Sequence, residues 1–487
     1  MVSIQPQTKS DDHSFFGHPK ALATLFGVEM WERFSFYGMQ GILLIYMYYT
    51  ASQGGLGIDQ TVAAGIVGAY GGGVYLSTIL GGWLADRVLG SERTLFYSAW
   101  LIMLGHLALA FVPGVLGLTI GLIFIAFGSG GLKANATAVV GTLYSPEDDR
   151  RDAGFSIFYM GINIGGLLGP LLTGLLQSEV GFHWGFGAAA VGMGLGLVQY
   201  QFGRKNLPAA AFEIANPLEP KARNNFILFG IALVVVIGLA VAFNLITPGN
   251  LAQLVIGVVI VATIIYFIVI LGSKGLTSVE RSRMFAFIPL FLASTAFWSL
   301  YQQQFTVLTI YADKELNRSI FGWEMPVSWV QSINPVFIIL LSGVFAALWT
   351  KLGKRQPSTP LKFALGTGLM GVAFLLFLPT AGGAANSTPL LWMVLILFMF
   401  TIAELCLSPV GLSVATKLAP HRFKTQMVSL WFLSVSLGTA ISGQLAGLYT
   451  QLPAASYFGI IGGIAIVLGL GLLIGAKPIL KAMRGVH

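Results

Sequence analysis

Charge is scarce in this chain. Of its 487 residues only 9% are Asp, Glu, Lys or Arg, while 55% are hydrophobic, giving a mean hydropathy of +0.80. A soluble domain carries about a quarter of its residues charged, so that class is excluded. Cysteine is nearly missing as well. The single Cys406 lies in an apolar run, which rules out an intramolecular disulfide and leaves it as a small core filler. The six His residues are isolated, and no nucleophile or metal constellation stands near them, so neither an integral-membrane enzyme nor a metal or other cofactor is expected. The net charge of +8 comes from basic residues scattered over short loops, not from a basic, aromatic-rich domain, so nucleic acid is not an expected partner. The first 20 residues lack a basic segment followed by a short apolar core. The first spanning helix is therefore expected to act as its own insertion signal.

Long apolar runs are what the chain has in plenty. Each run of about 20 residues suffices to cross a hydrocarbon core of roughly 30 Å as a helix. Such runs fall at 21–50, 60–89, 93–112, 115–143, 152–178 and 182–203, then at 224–245 and 251–271, then at 283–312, 323–349, 360–380, 389–419, 424–449 and 455–477. The spacing predicts an all-α integral membrane protein of 14 transmembrane helices, ordered six, two, six. The expected organisation is a tail at 1–20, a six-helix bundle at 21–203, a linker at 204–223, an additional helix pair at 224–271, a linker at 272–282, a second six-helix bundle at 283–477 and a tail at 478–487. With the N-terminus inside, 23 of the 27 Lys and Arg residues face the cytoplasm, Lys314 and Arg318 lie outside, and Arg33 and Lys133 fall within helices. The positive-inside rule thus predicts a multi-pass protein with both termini cytoplasmic.

The turn GGWLADRVLGSER at 81–93 combines small residues with Asp86, expected to meet the start of a neighbouring helix, and with Arg87 and Arg93, expected to face lipid phosphates. It resembles the loop motif of the major facilitator superfamily, which implies two six-helix halves around a midplane cavity.

A charge at a helix centre costs roughly 2.5 to 3.5 kcal/mol on insertion, so a retained one faces a polar cavity or a partner. Five stand out: Glu29, Glu32, Arg33, Lys133 and Glu404. At about 100° per residue, Glu29, Arg33, Phe36, Tyr37 and Gln40 share one face of the first helix, with Glu32 at its margin. Glu29 and Arg33 also have the spacing of a local ion pair that merely locks the helix. Lys133 follows GSGG at 128–131, where missing side chains give the ammonium room to reach a carboxylate. Glu404 has no basic neighbour on its own helix, and Pro409 can break that helix and free carbonyls nearby. The partner of Glu404 must come from elsewhere, most simply Lys133. The sum is three acids against two bases. One carboxylate is left to take up and release a proton, as a proton-coupled carrier needs. A sodium site fits less well, because carboxylates facing Arg and Lys are poorly placed to ligate a cation. His106 is expected to be a hydrogen-bonded bundle residue.

Four motifs, EMWERFSFYG at 29–38, FYMGINIGGLLGP at 158–170, QSINPVFI at 331–338 and AELCLSPVGLS at 403–413, resemble the proton-dependent oligopeptide transporters, bacterial type. The similarity runs over nearly the whole chain. It implies proton-driven import of di- and tripeptides through an alternating-access bundle in a bacterial inner membrane, by a monomer surrounded by lipid. It also implies roles. Glu29, Glu32 and Arg33 match the proton motif of the first helix, with Lys133 facing it and Glu404 sharing the coupling. Arg33, Tyr37 and Lys133 match the group that receives the peptide carboxylate, and Asn163, Asn334 and Glu404 the group that receives the amino terminus. Tyr75, Trp298 and Trp431 match aromatics that line side-chain pockets. The chemistry agrees: a zwitterion with one carboxylate and one ammonium is clamped by cations at one end and an acid with amides at the other. Taken singly, Asn163 and Asn334 fit interhelical glue equally well, and the aromatics fit packing.

Two departures stand out. Many members carry Arg where this chain has Gln40 and an acid where it has Gln302, so a polar outer gate of two glutamines is expected in place of an ion pair. Gly68 stands where animal members carry a proton-handling His. Relatives that move nitrate or amino-acid-like compounds leave another small substrate open, while a non-transporting receptor is disfavoured by the lack of a soluble signalling domain.

Overall fold

The computed structural model describes residues 14–145 and 148–486. Residues 1–13 of the expected tail at 1–20, and residue 487 of the tail at 478–487, lie outside the described residues. The described chain is almost entirely helical: α1 (Lys20–Tyr48), α2 (Gln60–Leu84), α3 (Ser91–Phe111), α4 (Gly114–Gly141), α5 (Arg151–Glu179), α6 (Phe182–Gly203), α7 (Pro220–Ala242), α8 (Leu251–Leu271), α9 (Ser278–Tyr301), α10 (Val307–Lys314), α11 (Ile333–Leu352), α12 (Thr359–Leu375), α13 (Leu390–Leu418), α14 (Lys424–Gln451) and α15 (Ala454–Ala482). Among the described residues, 11 helical segments are long and apolar enough to cross a membrane, and the shorter Thr359–Leu375 is also apolar. Helix α1 is not one of the 11, since Glu29, Glu32, Arg33 and Gln40 dilute it.

Three local expectations change. The span expected at 283–312 is split into α9 and α10 by a 3-10 segment, Gln302–Phe305. The break is served by side chains: the Gln303 amide donates to Ser299 O, and the Thr309 hydroxyl to Gln304 O, which satisfies carbonyls that a continuous helix would have used. The span expected from 323 starts later, because Ser319–Ile320 and Trp323–Glu324 pair as a short antiparallel hairpin. Its two turn residues, Phe321 and Gly322, both have positive φ, as a tight primed turn requires. Helix α13 runs unbroken through Pro409, so that proline removes one donor without ending the helix.

The chain divides by contacts into two units, and the division is not a linear cut: one comprises residues up to Ile42 with Ser77–Leu245, the other Leu43–Leu76 with Ile246–His487. In the first unit Leu22, Leu25 and Val28 of α1 pack with Ile102 of α3, Leu132 of α4 and Met193 of α6. The turn at 81–93 is tied by backbone, with Asn216 N donating to Asp86 O and Leu218 N to Arg87 O. The Asp86 side chain is exposed instead of meeting a helix start. Glu92 takes the local ion pair, to Arg204 Nε at 2.8 Å. Helix α7 buries none of its residues, which leaves its apolar surface to lipid. His106 is fully buried, and neither ring nitrogen has a hydrogen-bond partner among the described residues, contrary to the expected bonded role. Helices α3 and α4 approach closely beside it through Gly105 and Gly121.

In the second unit the C-terminal end of α1 and most of α2 are part of the packing. Tyr48 and Tyr49 both donate to the Asp313 carboxylate at 2.6 Å. Gly68 of α2 sits so close to α14 that a Cβ there would come within 2.6 Å of Gly443 Cα. An aromatic cluster, with Phe377 stacked on Phe458 at 4.2 Å and Tyr311 edge-on to Phe377, forms the core between α10, α12 and α15.

Candidate functional site

Each unit holds a cluster of the polar residues singled out in the sequence. In the first, the run EMWERF places Glu29, Glu32 and Arg33 on α1, where they are 2%, 0% and 3% exposed. Arg33 Nε lies 2.8 Å from Glu29 Oε1 and 3.0 Å from Glu32 Oε2. That nitrogen has one hydrogen, and it is directed to Glu29. Glu32 takes its hydrogen bond from Ser129 of α4, with Oγ 3.0 Å from Glu32 Oε1. Glu32, expected at the margin of the face, is thus the most deeply buried of the three, turned toward the GSGG segment.

Glycines make this possible. A Cβ at Gly165 of α5 would lie 2.2 Å from Met30 O, and one at Gly169 would lie 2.3 Å from Phe34 O, so the motif GINIGGLLGP lets α5 lie directly against the backbone of α1 that carries the charges. Thr173 Oγ1 then bonds Gly38 O at 2.8 Å. Lys133 of α4 comes to the same face, its ammonium 4.6 Å from the centroid of the Phe36 ring, and Arg33 Cζ is 5.9 Å from that ring. The aromatic face lies beside both cations and attracts them. Tyr37 is half-buried and edge-on to Phe36. The Asn163 amide nitrogen donates to Tyr159 O on its own helix at 3.0 Å. Gln40 is 5% exposed, and its Oε1 has no hydrogen-bond partner among the described residues.

In the second unit α9, α11 and α13 bring together Tyr301, Asn334 and Glu404. The Tyr301 hydroxyl is 2.8 Å from Glu404 Oε2 and 3.2 Å from Asn334 Oδ1. The Asn334 amide is 3.4 Å from the same Glu404 oxygen and 3.0 Å from Thr401 Oγ1. Among the described residues, both hydrogen bonds to Glu404 end on Oε2. Within its unit, then, Glu404 is held by neutral donors. Trp298 stacks edge-on against Tyr301, with its indole Nε1 buried and without a hydrogen-bond partner among the described residues. Trp431 is 5% exposed and fills the space over Gly411, where a Cβ would lie 1.8 Å from its ring. Tyr75 is half-buried and Gln302 is buried in the 3-10 break.

Sequence reasoning passed over Ser129, Tyr301 and Thr401. Ser129 was visible as the only hydroxyl within GSGG, and Tyr301 as a phenol one turn beyond Trp298 in an apolar helix, where its hydroxyl needs an acceptor. Thr401 carried no such signal.

Comparison with known proteins adds three kinds of similarity. The model of the POT family matches residues 92–463. A di-/tripeptide transporter of Lactococcus lactis subsp. cremoris is 44% identical over 98% of this chain and 99% of its own length, and an uncharacterized transporter, YclF, of Bacillus subtilis is 47% identical over 97% of this chain and 96% of its own. The crystal structure of a peptide transporter POT in complex with sulfate superposes with a TM-score of 0.92 at 48% identity, covering 97% of each chain.

Proposed function

This chain belongs to the POT family, and we propose that it is a proton-coupled symporter importing di- and tripeptides by alternating access. Charge content carries the reading. The first unit places two buried acids, Glu29 and Glu32, with two bases, the buried Arg33 and the half-buried Lys133, whereas Glu404 in the second is bonded by neutral Tyr301 and Asn334. A zwitterionic peptide with one proton suits both: protonating one of the two acids leaves the first unit with an excess positive charge for the peptide carboxylate, and the peptide ammonium gives Glu404 its counter-charge. Arg33 and Lys133, with Tyr37, receive its carboxylate; Glu404, with Asn163 and Asn334, receives its ammonium; Tyr75, Trp298 and Trp431 bound its side chains. Glu29 and Glu32, exchanging the Arg33 guanidinium between them, carry the proton, and Gln40 with Gln302 form the neutral outer gate. The protein acts as a monomer in the bacterial inner membrane with both termini cytoplasmic. A membrane potential of about 100 mV and one pH unit supply roughly 2.3 and 1.4 kcal/mol per proton, enough for accumulation by several hundredfold.

Blocking one end of the substrate tests the assignment. A charge-assisted contact is worth roughly 1.5 to 3 kcal/mol, or about ten- to a hundredfold in affinity. Acetylating the amino terminus of dialanine should weaken binding to the wild type by that factor and hardly affect Glu404→Gln. Amidating the carboxyl terminus should do the same to the wild type against Arg33→Ala. Equal losses for both capped peptides on all three proteins would overturn the assigned polarity, and accumulation that survives an uncoupler would overturn symport.

A further inference from the structure

The second unit contains a cavity of about 800 Å³ that the transport reading does not use. Its walls are the end of α11, the start of α12 and the last turns of α13. Lys362 and Lys417 line it, Ser358 and Ser413 add hydroxyls, and Trp349 and Val414 contribute an apolar side. Lys362 is 8% exposed, with its Nζ 2.6 Å from Gln356 Oε1 and 4.5 Å from the Trp349 ring. Both of these partners are neutral. Neither lysine takes part in the ion pairs found among the described residues.

The sequence explains why. From residue 325 to the end the chain carries ten Lys and Arg but a single acid, Glu404, and that acid is bonded to Tyr301 and Asn334. A buried ammonium without a counter-charge has lost hydration with nothing ionic to replace it. Ser358 stands at the N-cap of α12 but makes no side-chain capping bond, so the first turn of that helix adds uncapped N–H groups at the same mouth.

We propose that this cavity binds a phosphate group of net negative charge, held between Lys362 and Lys417, with the carbon part of a phosphate ester lying against Trp349 and Val414. The volume far exceeds that of an inorganic ion and accommodates the glycerol headgroup of an anionic phospholipid. Trp349 is suited to that position, because tryptophan favours the membrane interface.

Native mass spectrometry of the full chain in detergent, titrated with phosphatidylglycerol and with phosphatidylcholine, provides one arm of the test; a thermal shift with millimolar inorganic phosphate provides the other. The wild type should retain phosphatidylglycerol about tenfold better than phosphatidylcholine, and the Lys362→Gln, Lys417→Gln double variant should lose that preference. Stabilisation by inorganic phosphate that disappears in the same variant, without a lipid preference, would support the same site with a free anion as its ligand. Lys417→Gln alone changes an exposed side chain and keeps the fold, so it decides the matter if the double variant fails to fold: its affinity should drop several-fold. Binding of either probe that is unchanged in Lys417→Gln, or absent from the wild type, would overturn the proposal. The readout is binding alone, so its failure leaves the transport reading untouched.

Discussion

The Tyr301 hydroxyl lies 2.8 Å from Glu404 Oε2 and 3.2 Å from Asn334 Oδ1, so one phenol on α9 links helices α11 and α13 at the only acidic side chain beyond residue 324. A hydroxyl has one hydrogen, and the shorter distance gives it to the carboxylate.

Replacing Tyr301 with Phe keeps the ring contacts and removes that donor. A hydrogen bond to a charged group is worth roughly 1.5 to 3 kcal/mol, partly made up by water in an open site. Affinity for dialanine should fall by about tenfold, while affinity for acetylated dialanine should stay within a factor of two. Binding isotherms with both ligands measure it; equal losses would show that Tyr301 acts on the whole site and not through Glu404.

Glu32 is the acid whose bonds differ most from those of its neighbour: Ser129 donates to it, while the Arg33 hydrogen goes to Glu29. Glu32→Gln should abolish proton-driven uptake in proteoliposomes and leave peptide counterflow partly intact. Ser129→Ala, which removes one hydrogen bond worth about 1 kcal/mol, should slow proton-driven uptake several-fold and keep counterflow. Wild-type gradient-driven rates in Glu32→Gln would remove Glu32 from the coupling path.

Gly68 and Gly443 mark where α2 packs on α14. Valine at 68 would press its Cβ to within 2.6 Å of Gly443 Cα, whereas Gly73 has nothing within 4 Å of the same position. Overpacking of this kind costs typically 1 to 3 kcal/mol. Gly68→Val should lower the melting temperature by several degrees and reduce uptake, and Gly73→Val should do neither. A melt of the purified variants decides it, and matching behaviour would dismiss the contact.

Glu315 lies just beyond the membrane span that ends at Lys314. Burial holds its pKa above the ordinary value of 4.5, opposed by hydrogen bonds from the Tyr449 hydroxyl and Gly382 N–H and by the Lys314 charge. With the folded value raised, the folded state holds the proton longer than the unfolded state does. Stability therefore falls as pH rises through the window that opens near 4.5 and closes above the raised folded value. Glu315→Gln, which removes the titrating group and keeps one oxygen to accept from the Tyr449 hydroxyl or from Gly382 N–H, should flatten that slope. Thermal melts of both proteins between pH 4 and 7 check it; parallel curves would contradict the assignment.

Membrane class, helical order and the presence of charges that need a reason are legible in the order of residues alone. These follow from local quantities: the length of an apolar run against the thickness of a bilayer, and the cost of a charge placed inside it. EMWERF announced that Glu29, Glu32 and Arg33 belong together, because three and four residues along a helix bring side chains to one side. Spacing could not say which acid receives the Arg33 hydrogen, or that Ser129 of α4 serves Glu32, since α1 and α4 are neighbours only through packing. It could not choose Tyr301 as the donor to Glu404, nor foresee that the QQQF segment leaves the helix while Pro409 stays in one. Residues 43–76 adjoin the first bundle in sequence yet make their contacts with the second unit, because Gly68 admits α14 and Tyr48 and Tyr49 reach Asp313. A single sequence records what each residue can do, whereas the choice among many possible partners is made by close packing, which depends on all the helices at once.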